Sequence, residues 1–314
     1  MQKQDPKDNN KDKTNQQHQK GSEAGQKPGQ KMPNLQETGD LIHKSAPILK
    51  LPSTIICSQK DNISAATATG GRAHQEDFYL FDDLSMKSIK NGQGQLMAVF
   101  DGHGGVETAE QVSKAIYGVF GMTLATRHGD INVALKDAIS RLALMTDSKK
   151  AGSTLSVVYI PSGHTIAHVA VIGDSPVIIL DKDNKIVVSP DHNVRTNPVE
   201  LAKAQKKGAL YQLGYIMSPL PSGGGLQMSR SLGDKHIAHI LDREPEIYSV
   251  PLCNKSFIIL GTDGLFDPGH HDTAAQVGRV VVLAMNGAGA KELVQDALDR
   301  VTRDNVTAIV WRPR

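Results

Sequence analysis

Cysteine is nearly absent: Cys57 and Cys253 are the only two in 314 residues. They stand too far apart for a zinc knuckle and are too few for a disulfide scaffold, so each is expected to be a small buried hydrophobe. Aromatic residues make up 4% of the chain, and the first of them is Phe78. Residues 1–40 have no aromatic residue, eight glutamines, and seven lysines against six acids. Such a stretch cannot bury enough apolar surface to offset the entropy of ordering. Residues 1–49 are therefore expected to be a disordered polar tail, and residues 50–314 the folded domain. Charge of one sign is lacking too. A net charge of +2 and no basic stripe with interleaved aromatics argue against nucleic acid as a partner. No apolar core follows the amino terminus, and no stretch reaches the roughly 18 uninterrupted apolar residues of a membrane span. A soluble, monomeric, cytoplasmic protein is expected, with the nucleus left open.

What is present is an ordinary 39% of apolar residues, arranged in short runs. ISAATATG, FYLF and QLMAVFD read as strands bounded by Gly, Asp or Asn. Ala109, Val112, Ile116, Val119, Phe120 and Thr123 then recur at helical spacing, as do Leu135, Ala138, Ile139 and Leu142. STLSVVYI, HTIAHVAVIGD, PVIIL and KIVVS follow as strands, with turns such as PSG and DKDN that suit antiparallel hairpins. A Lys-rich helix from Pro198 to Lys207 leads into Leu213–Leu226, a glycine- and proline-rich segment expected to be a mobile flap. The strand SFIILGTDG, two helices near 272–285 and 289–301, and the strand NVTAIVW complete the chain. Antiparallel strands in groups and helices in pairs predict an α+β fold, an αββα four-layer sandwich of two antiparallel sheets flanked by helices.

Six acids stand at or just beyond strand ends: Glu76, Asp77, Asp101, Asp174, Asp263 and Asp304. A single one is a turn residue. Six at corresponding places would be brought to a common edge, where they repel one another unless cations hold them. Donors that are all oxygen favour Mg²⁺ or Mn²⁺ over zinc. Two such ions about 4 Å apart share a carboxylate and activate a water as nucleophile. Arg72, four residues before Glu76, presents a guanidinium fork suited to phosphate oxygens. His103, two residues after Asp101, presents an imidazole able to protonate a departing alkoxide.

GGRAHQED, VFDGHGG, GST, VIGDS, SPDHN, MSRSLGD, FIILGTDGLFD and TRDNVTAIV occur in this order between residues 70 and 310. This series resembles the metal-dependent protein phosphatases of type 2C, the PPM family. The resemblance implies a phosphoserine and phosphothreonine phosphatase acting on phosphoproteins, in which a water activated by two Mg²⁺ or Mn²⁺ ions attacks phosphorus directly. It implies that Asp101 bridges both ions and that Glu76 and the Gly102 carbonyl hold one. Asp263 and Asp304 would hold the other, and Asp174 a weaker third ion. Arg72 would bind substrate phosphate, His103 would act as general acid, and Asp77 and Asn305 would support the ligands. The chain departs from the family pattern at Pro176, where arginine is common, at Phe266, where tryptophan is common, and through PLPSGGG in the flap.

Rival chemistries fail on particular positions. A cysteine-based phosphatase needs arginine six residues after its nucleophile, and those positions hold Ile63 and Ile259. VIILDKDNK imitates an aspartate-nucleophile motif, but its fifth position is Lys185, so Asp181 and Asp183 are read as hairpin acids. The remaining alternative is a catalytically silent scaffold that binds a signalling partner. Such relatives usually lose metal-binding acids, and here every one is present.

Overall fold

Short runs rich in Val, Ile and Leu, cut by glycine, proline and aspartate, form the strands because branched side chains pack well on a pleated surface. The computed structural model describes residues 53–163, 165–220, 224–266 and 273–314. The chain separates into the units Met1–Leu49 and Lys50–Arg314. The disordered tail expected over residues 1–49 lies outside the described residues.

Two large antiparallel sheets organise the second unit. One runs in the order β1 (Ile56–Lys60), β2 (Ile63–Ala68), β17 (Val306–Trp311), β16 (Ile258–Gly261), β9 (Val177–Leu180), β10 (Ile186–Val188). The other runs β15 (Glu246–Pro251), β8 (Ile166–Ile172), β7 (Leu155–Pro161), β4 (Gln93–Phe100), β3 (Phe78–Ser85). Successive side chains on a strand point to opposite faces, so each central strand feeds two cores. Leu96, Ala98 and Phe100 of β4 pack on α1 (Glu107–Thr126) and α2 (Ile131–Thr146), while Met97 and Val99 face the other sheet. Val306, Ala308 and Val310 of β17 likewise pack on α4 (Asp263–Phe266), α5 (Thr273–Met285) and α6 (Ala290–Asp299), while Ile309 and Trp311 face inward. The layers therefore run helix, sheet, sheet, helix, as the patterning predicts. No helix among the described residues is long and apolar enough to cross a membrane.

Two smaller sheets finish the body. β14 (Leu232–Gly233), β6 (Gly152–Ser153) and β5 (Gly102–His103) form a short ribbon. β11 (Leu210–Gln212), β12 (Tyr215–Met217) and β13 (Gly225–Leu226) form another, preceded by α3 (Pro198–Lys206). The segment Leu213–Leu226, expected to be a mobile flap, thus contains the short strands β12 and β13. Leu213 and Gly214, with φ of +51° and +88°, supply the left-handed pair of a tight hairpin, and Ile216 is buried with Val194, Ala204 and Ile237. Strands of two and three residues carry too little alternation to be read from the sequence. Residues 221–223 of the segment lie outside the described residues.

The cysteines are not buried: Cys57 is exposed on the edge strand β1 and Cys253 is partly exposed. An edge strand packs on one side only, and its residues 56, 57, 59 and 60 all face solvent. Asp181 is a turn acid as expected, because its Oδ1 accepts the backbone N–H groups of Asp183 and Lys185 at 2.8 Å each.

Candidate functional site

Strand pairing brings the named acids to one end of the sandwich. Glu76 and Asp77 close the loop from β2 to β3, and Asp304 immediately precedes Asn305 and β17, which pairs with β2. Asp263 begins α4 just after β16, which also pairs with β17. Asp101 follows β4 and Asp174 follows β8, both in the opposite sheet. The backbone N–H of Asp263 donates to Asp101 Oδ2 at 3.4 Å, a contact that joins the two sheets at this end. Glycine follows both aspartates for a steric reason. A Cβ at Gly102 would lie 2.4 Å from the Glu76 carbonyl oxygen, and one at Gly264 would lie 2.0 Å from that of Asn305.

The acids are electrostatically strained. Burial raises Asp77, Asp174 and Asp263 from the usual 3.8 to about 7, and repulsion adds to it: from Asp304 on Asp77, from Asp263 and Asp191 on Asp174, and from Asp304 and Asp77 on Asp263. Asp101 is pushed well above the usual range by burial and then by Asp263, Asp77, Asp304 and Asp174. It is the carboxylate that senses four others, as a group at the centre of the cluster must. Asp174 Oδ1 and Asp263 Oδ1 are buried without a hydrogen-bond partner, and so is Asp77 Oδ1. Bare, buried, mutually repelling oxygens are what a hard divalent cation satisfies, so the donor set fits Mg²⁺ or Mn²⁺. Among the described residues no three His, Cys, Asp or Glu side chains form a ready-made ligand group as placed.

Neighbouring side chains hold the acids in place. Asp77 Oδ2 accepts from Thr262 Oγ1 and Thr307 Oγ1, both at 2.8 Å. Asn305 Oδ1 accepts the Glu76 N–H at 2.8 Å, and its Nδ2 donates to the carbonyls of Thr69 and His74 at 2.9 and 2.8 Å. One amide thus pins the whole loop that carries Arg72 and Glu76. Arg72, more than half exposed, donates Nη2 to Asp304 Oδ2 at 2.6 Å and Nε to the Arg303 carbonyl at 3.2 Å. His103 meets Asp234, with Nε2 to Oδ2 at 2.8 Å.

Four residues with a structural hold on the site carry no role from sequence alone. Thr154 Oγ1 accepts the Asp101 N–H at 3.0 Å, while the Thr154 N–H donates to the Asp101 carbonyl at 3.0 Å. Asn193 Nδ2 donates to Asp174 Oδ2 at 2.9 Å. Beside it, His192 Nδ1 accepts the Gly173 N–H at 3.0 Å, and burial, with Arg230 nearby, lowers this histidine to about 4, so it is a neutral acceptor. The fourth residue is Asp234. All four lie in the motifs GST, SPDHN and MSRSLGD, so the signal was the motif itself, without a partner to explain it.

Comparison with known proteins agrees with this architecture. The family model described as Protein phosphatase 2C matches residues 61–306. "Probable protein phosphatase 2C 59" of Oryza sativa subsp. japonica is 31% identical over 260 residues, covering 79% of this chain and 74% of the relative. "Probable protein phosphatase 2C 45" of the same organism is 32% identical over 259 residues, covering 79% of this chain and 86% of the relative. Among solved structures, a serine-threonine phosphatase 2C from Toxoplasma gondii superposes with a TM-score of 0.62 at 22% identity, covering 82% of this chain and 98% of that one.

Proposed function

Because the chain belongs to the protein phosphatase 2C family, and is accordingly a protein serine/threonine phosphatase, we propose that the acid cluster is its metal-dependent catalytic centre. The observation that carries this reading is Asp101, which lies among four other carboxylates, three of them with bare buried oxygens. Asp101 would bridge two ions. Glu76 and the Gly102 carbonyl would complete one ligand set, Asp263 and Asp304 the other, with Asp174 at a weaker third position. When bound, Mg²⁺ or Mn²⁺ supplies the charge that activates water and offsets developing charge on phosphoryl oxygens.

The chain's own residues do the rest. Arg72 stands at the mouth of the cluster, exposed enough to release Asp304 and turn its fork to two phosphate oxygens. Ser and Thr leave as alkoxides, so a proton must reach the departing oxygen, and His103 is the group placed two residues from Asp101 to deliver it. Asn305 and Thr154 keep the Glu76 and Asp101 backbones from drifting, which matters because small displacements of reacting groups cost rate steeply. Substrates on this reading are phosphoproteins.

The test is phosphate release from phosphothreonine and phosphoserine peptides by the full-length chain, with Mn²⁺, with Mg²⁺, and with chelator. Turnover restored by either ion and abolished by chelator, together with loss in Asp101→Asn, is the expected result. Turnover indifferent to chelator sinks the metal mechanism. No turnover with either ion present favours the silent scaffold.

A further inference from the structure

We propose that Asp234 is a positioning residue for His103, and that Gly152 is a glycine because the two side chains meet directly over it. The inference rests on the reading of His103 as proton donor. Its geometry stands independently.

Three segments converge in the ribbon β14-β6-β5. Gly152 is in register with His103 on one side and with Gly233 on the other. After Gly233 the chain turns through Asp234, which adopts a left-handed φ of +51°. Non-glycine residues rarely take that conformation, and they keep it only where their surroundings demand it. Here the turn brings the Asp234 carboxylate to His103 Nε2 at 2.8 Å. A Cβ on residue 152 would lie 2.1 Å from His103 Nε2 and 2.1 Å from Asp234 Oδ2. Any side chain there would wedge the pair apart.

Asp234 is 1% exposed, so its carboxylate sits in the interior and needs donors. It has two, both on the same oxygen: His103 Nε2, and Ser231 Oγ at 2.6 Å. The Arg243 guanidinium braces this turn by donating to the carbonyls of Ser231 and Gly233. An acceptor at Nε2 holds the ring's hydrogen on Nε2 and fixes the ring plane. That leaves Nδ1, buried and without a protein partner, as the nitrogen able to exchange a proton with a bound group. Sequence spacing hides this pair, because 131 residues separate its members.

The experiment uses the full-length, Mn²⁺-loaded protein and the variants Asp234→Ala, Asp234→Asn, Gly152→Ala and His103→Ala. Each is assayed on a phosphothreonine peptide, whose leaving group needs a proton, and on p-nitrophenyl phosphate, whose leaving group does not. Asp234→Ala is expected to lower kcat on the peptide roughly 10- to 100-fold, with the loss on the aryl ester at least about tenfold smaller. Asp234→Asn, which keeps an acceptor, should fall between Asp234→Ala and the parent, and Gly152→Ala should resemble Asp234→Ala. The double variant with His103→Ala should lose no more than His103→Ala alone. Additive losses in the double variant would overturn the proposal, as would equal losses on both substrates with the tautomer of His103 unchanged. A readout free of turnover is the ¹⁵N spectrum of His103. The parent should show the hydrogen on Nε2, and Asp234→Ala, or Gly152→Ala if the first does not fold, should show a mixture. An unchanged tautomer refutes the positioning role even in an active enzyme. A changed tautomer with equal kinetic losses refutes His103 as the acid while leaving the pairing intact.

Discussion

Asp263→Asn replaces a charge by an isosteric amide at the crowded end of the sandwich, and its effect on the metal-free protein should be stabilising. Burial, with repulsion from Asp304 and Asp77, raises Asp263 from 3.8 to about 7. The folded protein thus holds this proton more tightly than the unfolded chain does. The stability associated with it is complete below about pH 4 and is lost as pH rises through about 7. At about 1.4 kcal/mol per tenfold, the ionised carboxylate disfavours the fold by up to about 4 kcal/mol. The side chain is partly exposed and its repulsion is shared with its neighbours, so the amide should recover about 2 kcal/mol. In a body of this size that is a rise of about 4–8 °C in Tm. Thermal melts in chelator near pH 8 should show the rise, and melts near pH 5 should show little of it. Mn²⁺ should then invert the order. Saturation to about 100 times Kd stabilises the parent by about 2.7 kcal/mol, and the variant, short of a ligand, by clearly less. A metal-free variant that melts at or below the parent near pH 8 would refute the electrostatic reasoning. A metal response equal to the parent's would remove Asp263 from the ligand set.

Two further outcomes are expected. Asn305→Ala removes three hydrogen bonds from the loop that carries Arg72 and Glu76, which should cost about 1–3 kcal/mol and move half-maximal activity to higher Mn²⁺; a metal titration matching the parent's would show that the loop needs no pin. Glu200→Ala should destabilise by about 3 kcal/mol, because Arg230, 4% exposed, keeps only the half-exposed Glu246 as its charge partner. Burial alone would raise Glu200, but hydrogen bonds from Arg230, Lys203 and Ser229 hold it well below the usual range. This pair therefore stabilises above about pH 4.5 and weakens in acid, so the variant should lose less against the parent at low pH than at neutral pH, as read from urea melts.

The layer order was legible because alternation is local. Leu96, Ala98 and Phe100 against Met97 and Val99 announce a strand with two buried faces, and Val112, Ile116 and Phe120 announce the helix that covers one of them. The strands of the flap were not legible, since two or three residues make no period, and Leu213 in a left-handed turn gives no composition signal. Cys57 misled because cysteine is a buried residue on average, whereas its burial here depends on β1 having a neighbour on one side only. Glu76, Asp101, Asp174, Asp263 and Asp304 could be named from the sequence because each is tied to a strand end and a small residue.

The order of motifs by itself pointed to the protein phosphatase 2C family and singled out the acids proposed here as ligands, since residue type and local spacing carry that information. Only the tertiary structure decided what holds those groups. Asp234 finds His103 across 131 positions, Asn305 finds Glu76 across 229, and Glu200 finds Arg230 across 30. Such partners are chosen by sheet register and by which backbone passes over which glycine, quantities that exist only once the chain has closed on itself.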